Sequence, residues 1–220
     1  MAKIRGAGMR DPTPTLVSCH LLGEMWQNRS PQSSMRVLDV GSAAASTVNF
    51  FNRHFSRQKC YLAFPDLYAE SFVSGTQPDI VNSDLVALFK AALNIKPGVS
   101  LDICLFWDFF SYLRRPYIAA MLEALGPHLS ATTRGYCLGS MHAAQMPHYH
   151  YGLADANNMT QVRRLESVMP LHGHTQSELG GLLKPFVITK SRLMDEGRLE
   201  CLLFYKSAAG VASSGSVPQF

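Results

Sequence analysis

No two cysteines of this 220-residue chain stand two residues apart. The five lie scattered at 19, 60, 104, 137 and 201, mostly inside apolar runs. Zinc and dithiol sites need close paired spacing, so neither has a motif here, and reduced, buried thiols are expected. Nowhere do more than two lysines or arginines adjoin, and the formal net charge is only +4. Without a basic stripe, nucleic acid is not indicated as a partner. Apolar runs stop well short of the roughly 20 residues a spanning helix needs, so no membrane association is expected. The first ten residues are basic but lack the apolar stretch and cleavage site of a signal peptide, which leaves the cytoplasm as the expected location. Charged residues make up 16% of the chain against 47% hydrophobic, the balance of a single compact domain.

Glycine is also scarce where a nucleotide loop would require it. Val37 to Val40 is a short β-type run carrying one carboxylate, Asp39, and a small-residue turn follows from Gly41 to Ala45. Val48, Phe51 and Phe55 then recur at helical steps. A strand that turns tightly into a helix places free amides and the positive end of a dipole at the strand's carboxyl edge. A dinucleotide fingerprint needs three glycines at such a turn, and only Gly41 is present, with Ala43 and Ala45 at the later positions. A phosphate-loop lysine is missing too, which argues against nucleoside triphosphates.

The segment Leu-Asp-Val-Gly-Ser-Ala-Ala-Ala-Ser-Thr (38–47) resembles the first motif of class I S-adenosylmethionine (SAM)-dependent methyltransferases. The resemblance implies an α/β three-layer sandwich. Its mostly parallel seven-stranded sheet would be closed by an antiparallel C-terminal hairpin strand. It implies SAM as cofactor, with Gly41, Ser42 and Ala43 shaping the cradle and Asp39 holding its turn. Alanine at 43 and 45 departs from the family's glycines and motivates an alternative, a scaffold or binding protein that kept the fold and lost turnover.

Along the chain, residues 1–14 read as a flexible arm, and 15–27 as a helix with Leu16, Cys19, Leu22 and Trp26 on one face. Lys59 to Phe64 reads as a second strand. Asp66 just past it either takes the cofactor's ribose hydroxyls or caps the next helix. Asp79 to Asn82 is a weak third strand. Asp84 then opens a helix as a cap, and the resemblance also puts an adenine-binding acid near it. Leu101 to Trp107 is apolar enough to be covered on both faces. It resembles the family's fourth strand, so Trp107 and Asp108 would face the reactive side, although Asp108 could equally cap a turn.

A fifth strand begins at Gly135, after a helix over 117–125. From His142 to His174 the pattern is irregular and holds five of the eight histidines, the region assigned to a small-molecule acceptor. His142 and His148, with Asp108, are the candidate catalytic groups. The pairs His148/His150 and His172/His174 lack a completing carboxylate or cysteine, so no metal is expected. Thr175 to Glu178 is a capping box, and 186–193 with 199–205 form a hairpin around Gly197. Residues 1–206 make a single domain and 207–220 a flexible tail. A homodimer or a protein partner stays open.

Overall fold

The structure is a computed structural model that describes residues 13–31, 33–55, 60–69, 81–140, 145–194 and 197–206. Its main sheet is built on β2 (Met35–Asp39), buried at every position but Arg36. A parallel partner lies on each side of it, β3 (Cys60–Ala63) and β4 (Ile103–Trp107). β4 is buried throughout, as its unbroken apolar sequence requires. β5 (Arg134–Ser140) continues the parallel run. β9 (Arg198–Tyr205) then inserts antiparallel between β5 and the edge strand β8 (Phe186–Leu193), giving the order β3-β2-β4-β5-β9-β8.

Parallel crossovers are right-handed, so the direction in which the chain steps sets the face each helix covers. The step from β2 to β3 puts α1 (Ala45–His54) on one face. The steps back from β3 to β4 and on to β5 put α2 (Asn82–Leu93) and α3 (Arg115–Leu125) on the other. α2 packs on α3, and α3 meets α4 (Gln176–Leu182). The expected capping box is present at α4: Thr175 Oγ1 accepts from the Glu178 amide, and the Glu178 carboxylate accepts from Thr175 N. The strand order reverses between β2 and β4, and a ligand of such a sheet binds outside the carboxyl ends of those strands.

Two expectations are corrected and a third, the seventh strand, is not confirmed. Residues 15–27 are not a helix: Thr15–Ser18 forms a strand, β1, and Leu22–Trp26 a short 3-10 turn. β-Branched Thr15 and Val17 suit the free edge of β7 (Asn158–Pro170), on which β1 pairs antiparallel. The irregular region 142–174 is instead mostly a hairpin, β6 (Gln145–Leu153) with β7. Its turn is tied by Asp155 Oδ1, which accepts from Asn157 N and Asn158 Nδ2. Among the described residues the main sheet has six strands, not seven. The expected strand 79–82 lies partly outside them, and Asn82 already begins α2. The order and directions of those six are the ones expected of the class I methyltransferase fold, with the hairpin strand β9 running against the rest. No helix among the described residues is long and apolar enough to cross a membrane.

Candidate functional site

Asp39 closes β2 with its side chain in the core, 1% exposed. Its Oδ1 accepts from the Gly41 amide at 3.0 Å, which holds the turn, and from Trp107 Nε1 at 2.7 Å across from β4. Its Oδ2 is buried with no partner among the described residues, and so is Asp66 Oδ1 past the end of β3. Burial pushes the Asp39 carboxyl up to about 7. The Trp107 and Gly41 donors oppose that rise, and the charge of Asp66 adds to it.

The backbone is strained on both sides of this carboxylate. Trp107 has φ +47° and Asp66 φ +47°. A left-handed conformation at a bulky residue costs on the order of 1–3 kcal/mol and gathers at functional sites. At Trp107 it coincides with a bulge, since Leu105 and Trp107 face consecutive residues of β5.

Asp108 follows Trp107 and is also buried, but three phenols enclose it. Tyr68 donates to Oδ1 at 2.7 Å, while Tyr112 and Tyr151 donate to Oδ2 at 3.0 and 2.7 Å. Burial raises its carboxyl above the ordinary range, against the three hydroxyls. The same burial and the Asp108 charge raise the phenols Tyr68 and Tyr151, so these two hydroxyls stay protonated near neutrality.

The seat at the end of β2 is closed. Gly41, Ser42, Asp66, Tyr68, Trp107 and the β6 run His148–Tyr151 line a cavity of about 10 Å³. That is room for about one water, whereas ligand pockets measure roughly 300–1,000 Å³. Tyr151 stacks on Trp107 with ring centroids 5.4 Å apart, and His148 stacks on Tyr68 at 5.1 Å. His150 Nε2 lies 3.1 Å from Ser42 Oγ and 3.0 Å from the Ser42 carbonyl oxygen. The roomier trough between α4 and β8, about 820 Å³, is lined by none of the candidate residues.

Of those candidates, Gly41, Ser42, Asp66, Trp107 and His148 line the seat, and Asp39 underlies it. Asp108 is sealed beneath the tyrosines. Ala43 is exposed, and Asp84 is exposed in the first turn of α2, whose N-cap is Val81. His142 lies outside the described residues. The pair His172/His174 sits elsewhere: His172 N donates to Ser111 O, and His174 Nε2 bonds Leu113 O. Among the described residues no three metal-ligating side chains converge. Burial raises the thiols of Cys19 and Cys60 to about 11, which leaves them protonated.

Sequence reasoning missed Tyr68, Tyr112 and Tyr151 as partners of Asp108. The signal available was the alternation His148-Tyr149-His150-Tyr151. Such alternation is compatible with a strand, although in the structure all four of these residues line the cavity.

The fit of the expected cofactor is divided. Two unpartnered carboxylate oxygens at the ends of adjacent strands suit the hydroxyl and amino groups of an adenosyl ligand. The volume does not admit one while His148–Tyr151 stay in place.

No family model matches the chain, and no curated protein does. Among solved structures it is similar to a 1,6-didemethyltoxoflavin-N1-methyltransferase from Burkholderia thailandensis with bound S-adenosylhomocysteine. The identity is 12%, over 84% of this chain and 77% of that one, with a TM-score of 0.47. It is similar to an S-adenosylmethionine-dependent methyltransferase from Clostridium acetobutylicum at 11% identity, over 87% and 93%, with a TM-score of 0.45. A third likeness is LepI in complex with SAM, at 8% identity over 90% and 50%, TM-score 0.48. The chain spans about half the length of LepI and of the pyocyanin biosynthetic protein PhzM. At these identities and TM-scores the fold assignment rests on the strand order and not on the likenesses.

Proposed function

We propose that the chain is a SAM-binding protein of the class I methyltransferase fold that transfers a methyl group to a small-molecule acceptor. The observation that carries the reading is the pair Asp39 Oδ2 and Asp66 Oδ1. Both are buried and unpartnered among the described residues, at the carboxyl edge where such a sheet takes its ligand. A buried acceptor left unpaired costs about 1–3 kcal/mol, so a ligand that donates to both has a gain to make there. In this reading Asp66 takes the ribose diol, and Asp39 holds the turn beneath it. The sulfonium of SAM already activates its methyl, so the protein need only align the acceptor and keep water out. That chemistry does not depend on a general base in the pocket.

The closed seat also fits the scaffold alternative, and a titration separates the two. Calorimetry with SAM and with S-adenosylhomocysteine (SAH) should give saturable binding that Asp66→Asn weakens at least tenfold. Absence of binding by either ligand at millimolar concentration would favour the scaffold. Mass spectrometry of small molecules carried through purification is the independent check.

A further inference from the structure

We infer that β6 is a self-occupying strap: residues His148–Tyr151 fill the cofactor seat, and ligand enters only as this strand withdraws. The inference rests on the SAM reading of the seat. The strap is latched to all three loops that form the seat. His150 Nε2 is held at Ser42, in the loop after β2. His148 stacks on Tyr68, in the loop after β3. Tyr151 stacks on Trp107 and donates to Asp108, both at the end of β4.

Two features give this strand the geometry of a movable part. Among the described residues β6 is an edge strand, since the small sheet runs β1-β7-β6 and its ladder there is with β7 alone. Beyond the latches it touches the turn at the start of α1, where Leu153 N donates to Thr47 Oγ1. The register also shifts between Pro147 and Tyr149, where the single residue His148 faces residues 164–167 of β7, so the ladder is interrupted at the strap itself. Such an irregularity weakens the pairing locally, and it lies at the residue whose ring stacks on Tyr68.

The strap fills the seat's space without meeting its polar demand. Among the described residues Asp39 Oδ2 and Asp66 Oδ1 remain unpaired with β6 in place. A ligand with hydroxyl or amino donors therefore replaces the strap with partners that the strap does not supply. Apparent affinity is the intrinsic affinity reduced by the fraction of molecules that are open, so weakening a latch should tighten binding.

Gly152 provides the means of opening. β6 crosses the turn before α1 so closely that a Cβ there would lie 2.7 Å from Ala44 Cβ and 2.3 Å from Ser46 Oγ. Gly152→Val should lift the strand, and His150→Ala should release the first latch without adding bulk. Amide hydrogen exchange without ligand is expected to speed up over 148–153 in both variants, while 199–204 in β9 stay protected. SAH should bind both at least tenfold tighter than it binds the unaltered chain. Adding SAH to the unaltered chain should deprotect 148–153 while protecting 40–47.

SAH binding that protects 148–153, or affinity unchanged in variants whose strap exchanges freely, would overturn the strap and leave the cofactor reading intact. Failure of SAH to bind even the opened, folded variants would overturn the cofactor reading, and the strap with it. Should Gly152→Val not fold, His150→Ala alone gives the same outcomes.

Discussion

Trp107 Nε1 donates to Asp39 Oδ1 at 2.7 Å, joining the ends of the two central strands through a tryptophan whose φ is +47°. The bond ties the strained exit of β4 to the carboxylate that holds the turn after β2. Strain on one strand and the seat on the other are thus a single unit.

Trp107→Phe keeps a ring for Tyr151 to stack on and removes that donor. Asp39 then keeps only the Gly41 amide, deep in the core. A loss of about 1–3 kcal/mol is expected, the cost of depriving a buried charged acceptor of its partner. Urea denaturation at pH 8 measures it. The loss should be smaller at pH 5, where a protonated Asp39 needs the donor less.

Asp39 also sets a pH dependence of its own. Its pKa is raised in the folded chain, from 3.8 to about 7, so between those values the folded state holds a proton the unfolded state has released. The resulting stability is fully present below about pH 4 and is lost as pH rises through 7. Asp39→Asn removes the linkage, and its amide keeps an oxygen for Gly41 and Trp107. The variant should gain on the unaltered chain from pH 5 to pH 8, by on the order of 1–4 kcal/mol. Parallel stability curves for the two proteins across that range would refute the assignment.

Much of this architecture was legible in the sequence, and the parts that were not share a cause. Strands β2, β4 and β5, helix α3, the capping box at Thr175 and the hairpin of β8 and β9 are each fixed by neighbours within a few residues. β1 was misread because the steps Leu16, Cys19, Leu22 and Trp26 satisfy a helix. The competing partner, the edge of β7, lies 140 or more residues away. The hairpin of β6 and β7 was read as loop because its histidines and tyrosines lack an apolar face. Their burial comes from stacking on Trp107 and Tyr68 rather than from side-chain hydrophobicity. Of the seat, Asp39, Gly41 and Asp66 follow from the strand–turn–helix motif and its spacing. Its closure could not be read, because it depends on where a distant strand crosses.

Tyr112→Phe probes the clasp on Asp108 from the side that is not part of β6. It removes one of three hydroxyls and leaves the donors from Tyr68 and Tyr151 in place. The expected cost is about 1–3 kcal/mol by chemical denaturation. Paired with Tyr151→Phe the losses should not add, since both phenols donate to Oδ2. Strict additivity in that double-mutant cycle would mean that the two hydroxyls act independently.

Glu200 is the buried carboxylate that explains the N-terminal segment. It lies on β9 at 0% exposure and accepts from the amides of His20, Leu21 and Leu22 and from the Tyr136 hydroxyl. Those amides begin the turn Leu22–Trp26, so the side chain does for them what a cap residue would do locally. Trp26 carries the consequence outward, because its ring packs on Phe50 and Phe51 of α1. Glu200→Gln keeps the size and one acceptor oxygen, but turns a donor group toward amides that also donate. It should cost on the order of 2–4 kcal/mol, as loss of a charged acceptor with several partners does. Hydrogen exchange should accelerate over residues 15–26 and leave β4 and β5 protected. Uniform acceleration across the chain would mean that Glu200 supports the whole core rather than this one segment.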